Sequence, residues 1–236
     1  MKSNQFGQPV GDAVALAVPI QFKAHTLTGN YVDLLPIEKD TFTLDYAKQL
    51  WTCVNSEPDA RCWTYLPYEA PQSEVELEQN LRRKFGFEPS HHYWIVVEGK
   101  AVGWVALLNL RAQHAAVEIG NVYFSHRLKQ TPAATEAIFL LLRDCFQQGM
   151  RRVEWKCDDL NQPSKNAALR FGFTYEGLFR QDRVTKGRNR DTAWFSMIDI
   201  EWPKRQNTYL QWLDPMNFDK LGKQKRRLEE CASQEI

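Results

Sequence analysis

The sequence predicts an α/β domain in which helices flank a mixed, mostly antiparallel central sheet. Several apolar runs typical of strands are separated only by short turns, which indicates antiparallel neighbours. One strand candidate at 116–124 is followed by the clearest helical pattern in the chain and then by another strand candidate at 152–158. A strand–helix–strand passage of this length indicates a central parallel crossover. The 236 residues suffice for a full core without disulfides or metal.

The N-terminal part supplies an arm, a strand and two helices. Residues 1–25 show no clear period and form the predicted arm. The segment 31–35 alternates and ends at a proline, which indicates a strand. At 41–54 the apolar residues recur with helical spacing. A second helix at 73–85 opens with a serine and a glutamate in capping-box spacing.

Three strands and a long helix follow. Strand candidates at 93–98 and 102–110 flank a Gly-Lys turn, and 116–124 is the third. From Ala134 onward, apolar residues recur at i, i+3, i+4, i+7, i+8 and i+11, which predicts a helix. A proline suits its first turn and a glycine suits its end.

The C-terminal part continues with a strand at 152–158, a short helix at 161–171, strands at 174–183 and 192–200, and a helix at 202–213. The connection between the last two strands is strongly basic, and the last twenty or so residues are typical of a solvated tail. We therefore divide the chain into an arm (1–25), a domain (26–200) and a C-terminal helix with a basic tail (201–236).

Composition excludes several classes of protein. A net charge of +1 gives no overall field for a polyanion, so a nucleic-acid partner is not favoured. The five cysteines form no C-x-x-C pair and their number is odd, which favours reduced thiols and a cytoplasmic protein. No metal-ligand spacing, nucleophile elbow or P-loop is present. We expect no metal and no membrane partner, and a monomer or homodimer.

A candidate anion site precedes the long helix. A helix N-terminus presents unpaired N–H groups and a partial positive charge, so it can bind phosphate. Lys129 adds charge there, and Thr131 and Thr135 add hydroxyls. An ordinary capped helix after a strand is the alternative.

Five short motifs then stand at consistent spacing: Glu118 to Gly120, Ala134 to Ala137, Asn161 to Ser164, Arg170 to Phe173, and Glu176-Gly177. With the order of elements, they resemble the GNAT superfamily of N-acetyltransferases over about residues 26–200. The resemblance is to the branch that contains the ribosomal-protein alanine acetyltransferases. It implies a GNAT-like sheet, acetyl-CoA as co-substrate, and transfer of an acetyl group to an amine.

The resemblance also implies a set of coenzyme-binding residues. They are Val122, Tyr123 and Phe124 at a splayed strand bulge, Lys129, Gln130, Thr131, Ala133, Ala134 and Thr135 in the pyrophosphate loop, and Asn161 and Ser164. Two loop positions that are glycine in the family hold Gln130 and Pro132. Because glycine permits close backbone approach and proline lacks an N–H donor, we expect weaker or differently shaped coenzyme binding.

The reaction needs a base for the amine and an acid for the leaving thiolate. Glu118 is the first candidate base and Asp182 the second, while the resemblance gives Ser164 as the acid. Each has a structural alternative. Glu118 could pair with an arginine, Asp182 could pair with Arg180 or Arg183, Ser164 could cap its helix, and Asn161 could form an Asx-turn.

Two regions resemble the walls of an acceptor site, with Trp63, Tyr65, Tyr68 and Arg180 as candidate contacts. Trp63 could equally pack against the core. The basic cluster Lys186, Arg188 and Arg190 could attract an acidic acceptor or a coenzyme phosphate, or be a solvated tip. We therefore expect an acetyl-CoA-dependent N-acetyltransferase acting on a small amine, an amino acid or a protein N-terminus, through a ternary complex. The alternatives are a non-catalytic acyl-CoA-binding protein and a nucleic-acid module that uses the tail at 220–227.

Overall fold

The computed structural model describes residues 2–14, 19–38, 42, 44–84 and 90–232. Its strands are β1 Lys2–Ser3, β2 Pro9–Val10, β3 Leu27–Thr28, β4 Asp33–Pro36, β5 His91–Val97, β6 Lys100–Arg111, β7 Ala116–Phe124, β8 Arg152–Asp158, β9 Thr174–Thr185 and β10 Arg188–Ile198. Its α-helices are α1 Leu44–Asn55, α2 Glu74–Lys84, α3 Pro132–Gln147, α4 Gln162–Arg170, α5 Trp202–Leu213 and α6 Leu228–Cys231.

The central sheet has eight strands within these residues, in the order β3-β4-β5-β6-β7-β8-β10-β9. Every neighbouring pair is antiparallel except β7 and β8, which are parallel and joined by α3. The crossover places the N-terminus of α3 at the carboxyl end of β7. This is the mixed, mostly antiparallel sheet with a central parallel crossover that the sequence predicts, so the predicted fold class is confirmed.

Apolar side chains cover both faces of the sheet. On one face, α3 packs against Val117, Ile119 and Val153, and α5 lies over α3. The opposite face carries α1 and α2 on an aromatic layer that includes Trp94 and Trp104. Because successive side chains of a strand point to opposite faces, each strand between the two layers supplies both cores.

Glu136 joins α3 to the start of the sheet. Its buried carboxylate accepts hydrogen bonds from the backbone N–H groups of Asn30, Tyr31 and Val32, at 2.9, 2.6 and 3.1 Å. A Cβ on Gly29 would lie only 2.4 Å from the same carboxylate, so the β3–β4 turn requires glycine at this close approach. The motif at Ala134–Ala137 therefore contains a structural carboxylate.

The structure differs from the sequence prediction at several ends. The strands β1 to β3 were not predicted, since two residues are too short to show a period. The basic connection between β9 and β10 is a tight turn at Lys186-Gly187, where both residues have positive φ, and Arg188 to Arg190 lie within β10. The predicted helix boundaries at 41 and 85 lie outside the described residues.

The C-terminal segment is not simply a solvated tail. Its lysines at 220, 223 and 225 are exposed, as predicted. Leu228 and Cys231, however, are buried in the main core, and α6 packs against α5. The apolar side chains of the short helix α6 make this contact. The many basic residues that precede them in the sequence concealed this apolar pair.

Candidate active site

The parallel strands β7 and β8 part in the middle of the sheet. They pair from Ala116 opposite Arg152 to Ile119 opposite Trp155. Beyond that point β7 continues to Phe124 and β8 to Asp158 without pairing to each other. Alternate backbone groups on the facing edges therefore lack a ladder partner. We call the opening between Gly120–Phe124 and 156–158 the slot.

A β-bulge centred on Asn121 bends β7 at the slot. Trp104 and Ala106 of β6 face Tyr123 and Gly120, so β7 carries one extra residue here. Asn121 has φ of 45°, a left-handed conformation that asparagine adopts more readily than most residues. The bulge matches the splayed bulge expected at Val122 to Phe124, one residue further toward the N-terminus.

The side chain of Asn121 is held from both ends. The Tyr68 hydroxyl donates to Asn121 Oδ1 at 2.6 Å, and Asn121 Nδ2 lies 3.0 Å from His92 Nε2. Burial lowers the pKa of His92 to about 3, with a smaller contribution from His91. His92 is therefore neutral near pH 7, and its Nε2 accepts from the amide. The bulge is thus fixed by residues from the aromatic loop and from β5.

The loop before α3 keeps a left-handed residue without glycine. Gln130, at one of the two expected glycine positions, has φ of 63°. Thr131 caps α3 by accepting from the Ala134 N–H at 3.3 Å, and Pro132 occupies the first helical turn. Within the described part of the chain, the backbone N–H groups of Gln130 and Ala133 have no protein acceptor. Two free donors and the helix dipole therefore remain at this terminus.

The hydroxyl of Ser164 lies at the slot on the α4 side. Asn161, not Ser164, is the N-cap of α4, because its side chain accepts from the Ser164 N–H at 3.2 Å. The Ser164 hydroxyl accepts from Trp155 Nε1 at 3.0 Å. Burial raises the pKa of the Cys157 thiol, and the hydrogen bond from Ser164 partly offsets that effect. The helix-cap alternative for Ser164 is therefore wrong, whereas Asn161 does form a local cap.

Glu118 lies on the other face of the sheet in a buried charge network. Its Oε2 accepts from Asn109 Nδ2 at 2.6 Å and pairs with Lys156 Nζ at 2.9 Å. Lys156 also lies 3.5 Å from Glu154 and 3.8 Å from the centre of the Trp194 ring. The expected arginine partner is thus a lysine, one residue beyond Trp155 on β8.

Asp182 is engaged on β9. Its Oδ2 accepts from the Thr192 hydroxyl at 2.7 Å and from Arg183 Nε at 3.0 Å. Burial raises the pKa of Asp182, but these two hydrogen bonds outweigh it, so the pKa lies below its ordinary value. A carboxylate in this state is a weak proton acceptor near neutral pH. Asp182 is therefore a poor candidate for the base, and Glu118, whose carboxylate is also engaged, stays a prediction.

The aromatic loop at 63–68 closes one side of the slot. Trp63 is buried and stacks on Tyr123 with ring centres 5.0 Å apart, so it packs in the core as the alternative reading had it. Tyr65 donates to the Leu160 carbonyl at 3.0 Å, which ties the loop to the β8–α4 connection. Lys186, at the tip of the β9–β10 hairpin, donates to the Trp63 carbonyl at 2.8 Å.

Arg180 and Tyr123 are two further predicted site residues. Arg180 is exposed and lines an open hollow with Gln181, Asn189 and Asp191 at the bulge of β9. The Tyr123 side chain points away from the slot and donates to Glu57 at 3.0 Å, which leaves only its backbone for the slot. Sequence reasoning missed Asn121, His92 and Lys156. An asparagine inside a strand run was the only local signal.

The described residues contain neither a candidate membrane-spanning helix nor a candidate metal site. None of the helices in the described ranges is long and apolar enough to cross a membrane. No group of three or more His, Cys, Asp or Glu side chains in that same part of the chain is arranged to hold a metal ion.

Comparison with known proteins agrees with this geometry. The acetyltransferase (GNAT) domain profile matches residues 40–174. A GCN5-related N-acetyltransferase from Brucella melitensis is 37% identical, with a TM-score of 0.84 over 89% of this chain and 95% of that one. A probable acetyltransferase of the GNAT family from Chromobacterium violaceum is 34% identical, with a TM-score of 0.72 over 83% and 99%.

A more distant structure shares the fold alone. It is the acetyl transferase from Salmonella typhimurium that modifies the N-terminal serine of ribosomal protein L7/L12, at 19% identity and a TM-score of 0.58 over 72% and 96%. No curated protein sequence matches the chain. The sheet, the slot and these matches define an acyltransferase of the GCN5-related type. The chain belongs to the GNAT acetyltransferase family.

Proposed function

We propose that this protein transfers the acetyl group of acetyl-CoA to an amine, by direct attack in a ternary complex. The observation that carries the proposal is the slot. At the start of α3, two backbone N–H groups have no acceptor among the described residues, and a serine hydroxyl lies on one wall. The acceptor would be a small amine, an amino acid or a protein N-terminus. Free cysteines throughout the chain suit a cytoplasmic setting.

The loop before α3 would hold the coenzyme pyrophosphate. Among the residues that the structure describes, none accepts from the Gln130 or Ala133 N–H group, and the positive end of the α3 dipole points the same way. The left-handed Gln130 supports this role, because it gives the loop the backbone turn that glycine would otherwise provide. Lys129 is exposed beside them and adds a positive charge.

In the transfer step, the amine nitrogen attacks the acetyl carbonyl, a C–N bond forms and the C–S bond breaks. A backbone N–H of the segment Val122 to Phe124, beside the bulge, would donate to the developing oxyanion. Ser164 would give its proton to the leaving thiolate. Its oxygen accepts from Trp155, and its proton, which is directed to the Cys157 sulfur, would turn to the thiolate of the coenzyme.

Glu118 would accept the proton that the amine loses, directly or through water. Both of its described polar contacts are made by Oε2, which leaves Oε1 for proton transfer. Lys156 holds the carboxylate in place. Glu118 and Ser164 lie on opposite faces of the sheet because Lys156 and Trp155, their partners on β8, are consecutive residues. A base on one face and an acid on the other suit two substrates that meet in the slot.

A free-thiol release assay over amines, amino acids and short peptides tests the proposal, with acetyl-CoA binding measured by calorimetry. We expect binding, thiol release with at least one acceptor, and a loss of about 10- to 1,000-fold in kcat for Glu118→Gln and for Ser164→Ala. Glu154→Gln is the matched control, because it perturbs the same charge network from the neighbouring strand.

Three results separate the possibilities. Absence of acetyl-CoA binding would contradict the proposal outright. Binding without thiol release for any acceptor would support the non-catalytic acyl-CoA-binding alternative. An equal loss for Glu154→Gln and Glu118→Gln would show that the network is structural and that Glu118 is not the base.

A further inference from the structure

Arg190 is a partly buried cation that no carboxylate of the described residues contacts directly. It lies in β10, and its described hydrogen bond runs from Nε to the Thr192 hydroxyl at 3.2 Å. Over the described residues, no carboxylate oxygen lies within 4.0 Å of its guanidinium. Burial lowers its pKa, and the nearby Arg183 lowers it further. Removing an arginine partly from water while most of its five N–H donors have no acceptor costs free energy, unless an anion binds to the guanidinium.

β10 pairs with β8 as far as Thr192 opposite Asp158, and Arg190 lies two residues away from Thr192 on β10, past the carboxyl end of β8. The groups that act on its charge are Cys157 and Asp158, at the end of β8, and Asp182 and Arg183, on β9. Cys157 is also the thiol that Ser164 contacts, so Arg190 and the proposed proton donor share a neighbour.

The surrounding hairpin is basic and fixed in position. Residues 180–191 include five basic residues, Arg180, Arg183, Lys186, Arg188 and Arg190, and only two acidic ones, Asp182 and Asp191. Lys186 fastens the hairpin tip to the Trp63 carbonyl and lies 3.4 Å from Glu69. The tip is therefore anchored across the aromatic loop, and strand pairing with Arg183 of β9 holds Arg190 in position.

From these observations we propose that the acceptor carries a carboxylate close to its reactive amine, and that Arg190 binds that carboxylate. The inference rests on the proposed acetyl transfer and specifies its acceptor class. A guanidinium binds a carboxylate through two parallel N–H bonds, which fixes the orientation of the acceptor as well as its affinity. The Thr192 hydroxyl links Arg190 to Asp182, so an ammonium group beside the acceptor carboxylate would be attracted by Asp182, as in an α-amino acid or a peptide with an acidic first residue.

A coenzyme phosphate is the competing anion. It is disfavoured because the free N–H groups for phosphate lie at the start of α3, whereas the charged neighbours of Arg190 belong to β8 and β9. The two assignments make opposite predictions about which Michaelis constant an Arg190 variant changes, so one kinetic experiment decides between them.

The test compares acceptors that differ only in the carboxylate. Each amino acid is paired with its primary amide, and short peptides with an acidic first residue are paired with their amide analogues. We expect wild-type kcat/KM to be at least about 10-fold higher for the acid of a pair. Arg190→Gln should remove most of that preference, and Arg190→Lys should restore it in part. Arg188→Gln, at an exposed position two residues earlier in β10, is the matched control and should retain the preference.

Binding is measured in parallel, so that failure of turnover does not decide the question. Calorimetry with N-acetylated amino acids and their amides, in the presence of coenzyme A, should show the same preference for the acid and its loss in Arg190→Gln. Equal use or binding of acid and amide by the wild type would overturn the proposal. An increase in KM confined to acetyl-CoA in Arg190→Gln would assign this arginine to a coenzyme phosphate. If no amine is acetylated but the acid is still bound selectively, the proposed transfer fails and the carboxylate site stands.

Discussion

Replacing Gln130 tests whether the pyrophosphate loop depends on backbone shape or on a particular side chain. At φ of 63° an L-residue costs about 1–2 kcal/mol, because its Cβ crowds the following carbonyl. Gln130→Gly removes that cost, but glycine gives back about 0.5–1 kcal/mol through its freedom in the unfolded chain. The net expectation is a stabilisation of about 0.5–1 kcal/mol.

Gln130→Ala is the matched control, because it removes the side chain but keeps the Cβ and therefore the strain. It should leave the free energy of unfolding nearly unchanged, since the Gln130 side chain is exposed. For a chain of this length, the difference between the two variants corresponds to about 2–4 °C in Tm per kcal/mol. Urea unfolding of the three proteins, followed by circular dichroism, measures it.

Acetyl-CoA affinity provides the second measurement on the same loop. Both variants keep the backbone N–H and should bind acetyl-CoA within about twofold of wild type. Gln130→Pro removes that N–H and forces a negative φ, so we expect affinity at least about 10-fold weaker. If glycine and alanine gave equal stability, or if the proline variant bound normally, the left-handed loop would not be the feature that matters.

Three further predictions concern residues around the slot. Glu136→Ala leaves three backbone N–H groups without an acceptor and should destabilise the protein by about 3 kcal/mol, which urea unfolding measures; a loss below 1 kcal/mol would contradict this. Asn121→Gly permits the positive φ but lacks the hydrogen bonds to Tyr68 and His92, so kcat should fall while the acetyl-CoA Kd stays constant. An unchanged kcat would show that these two hydrogen bonds are dispensable. Burial raises the pKa of Glu154, but hydrogen bonds from Arg152 and Arg111 outweigh it and the net pKa is lowered. The ionised Glu154 therefore stabilises the folded protein above its unfolded pKa of about 4.3, and this stabilisation disappears as the pH falls through the lower folded pKa. Between pH 5 and 3, the free energy of unfolding of Glu154→Gln should therefore decline less than that of the wild type.

The elements with strong patterns were predictable from the sequence. The strands β7 and β8 and the helix α5 have the bounds that their patterns indicate, because each buries a continuous or periodic apolar set. The start of β10 was placed late, at 192, since Arg188, Asn189 and Arg190 are all polar and carry no apolar signal. Strand pairing with β9 holds these residues extended in spite of their composition.

The site was predictable only where its residues are close in sequence. Asn161 and Ser164 belong to one motif, and the loop before α3 is contiguous. The hydrogen-bond partners of Asn121, Tyr68 and His92, lie 53 and 29 positions away from it in the sequence, and no local pattern reveals such contacts. The partner of Glu118 was misassigned because it depends on the register that sets Glu118 beside Glu154 on a parallel strand. Register is a property of the sheet and not of either strand alone.

The parting of β7 and β8 has a consequence for the order of binding. An opening in the middle of a sheet can be reached from both faces, and consecutive residues of β8 already point one way toward Ser164 and the other way toward Glu118. A coenzyme entering from the α4 face and an acceptor entering from the other face would not obstruct each other. We therefore expect either substrate to bind to the free enzyme, with initial-rate patterns of a random sequential mechanism and with each product able to leave first.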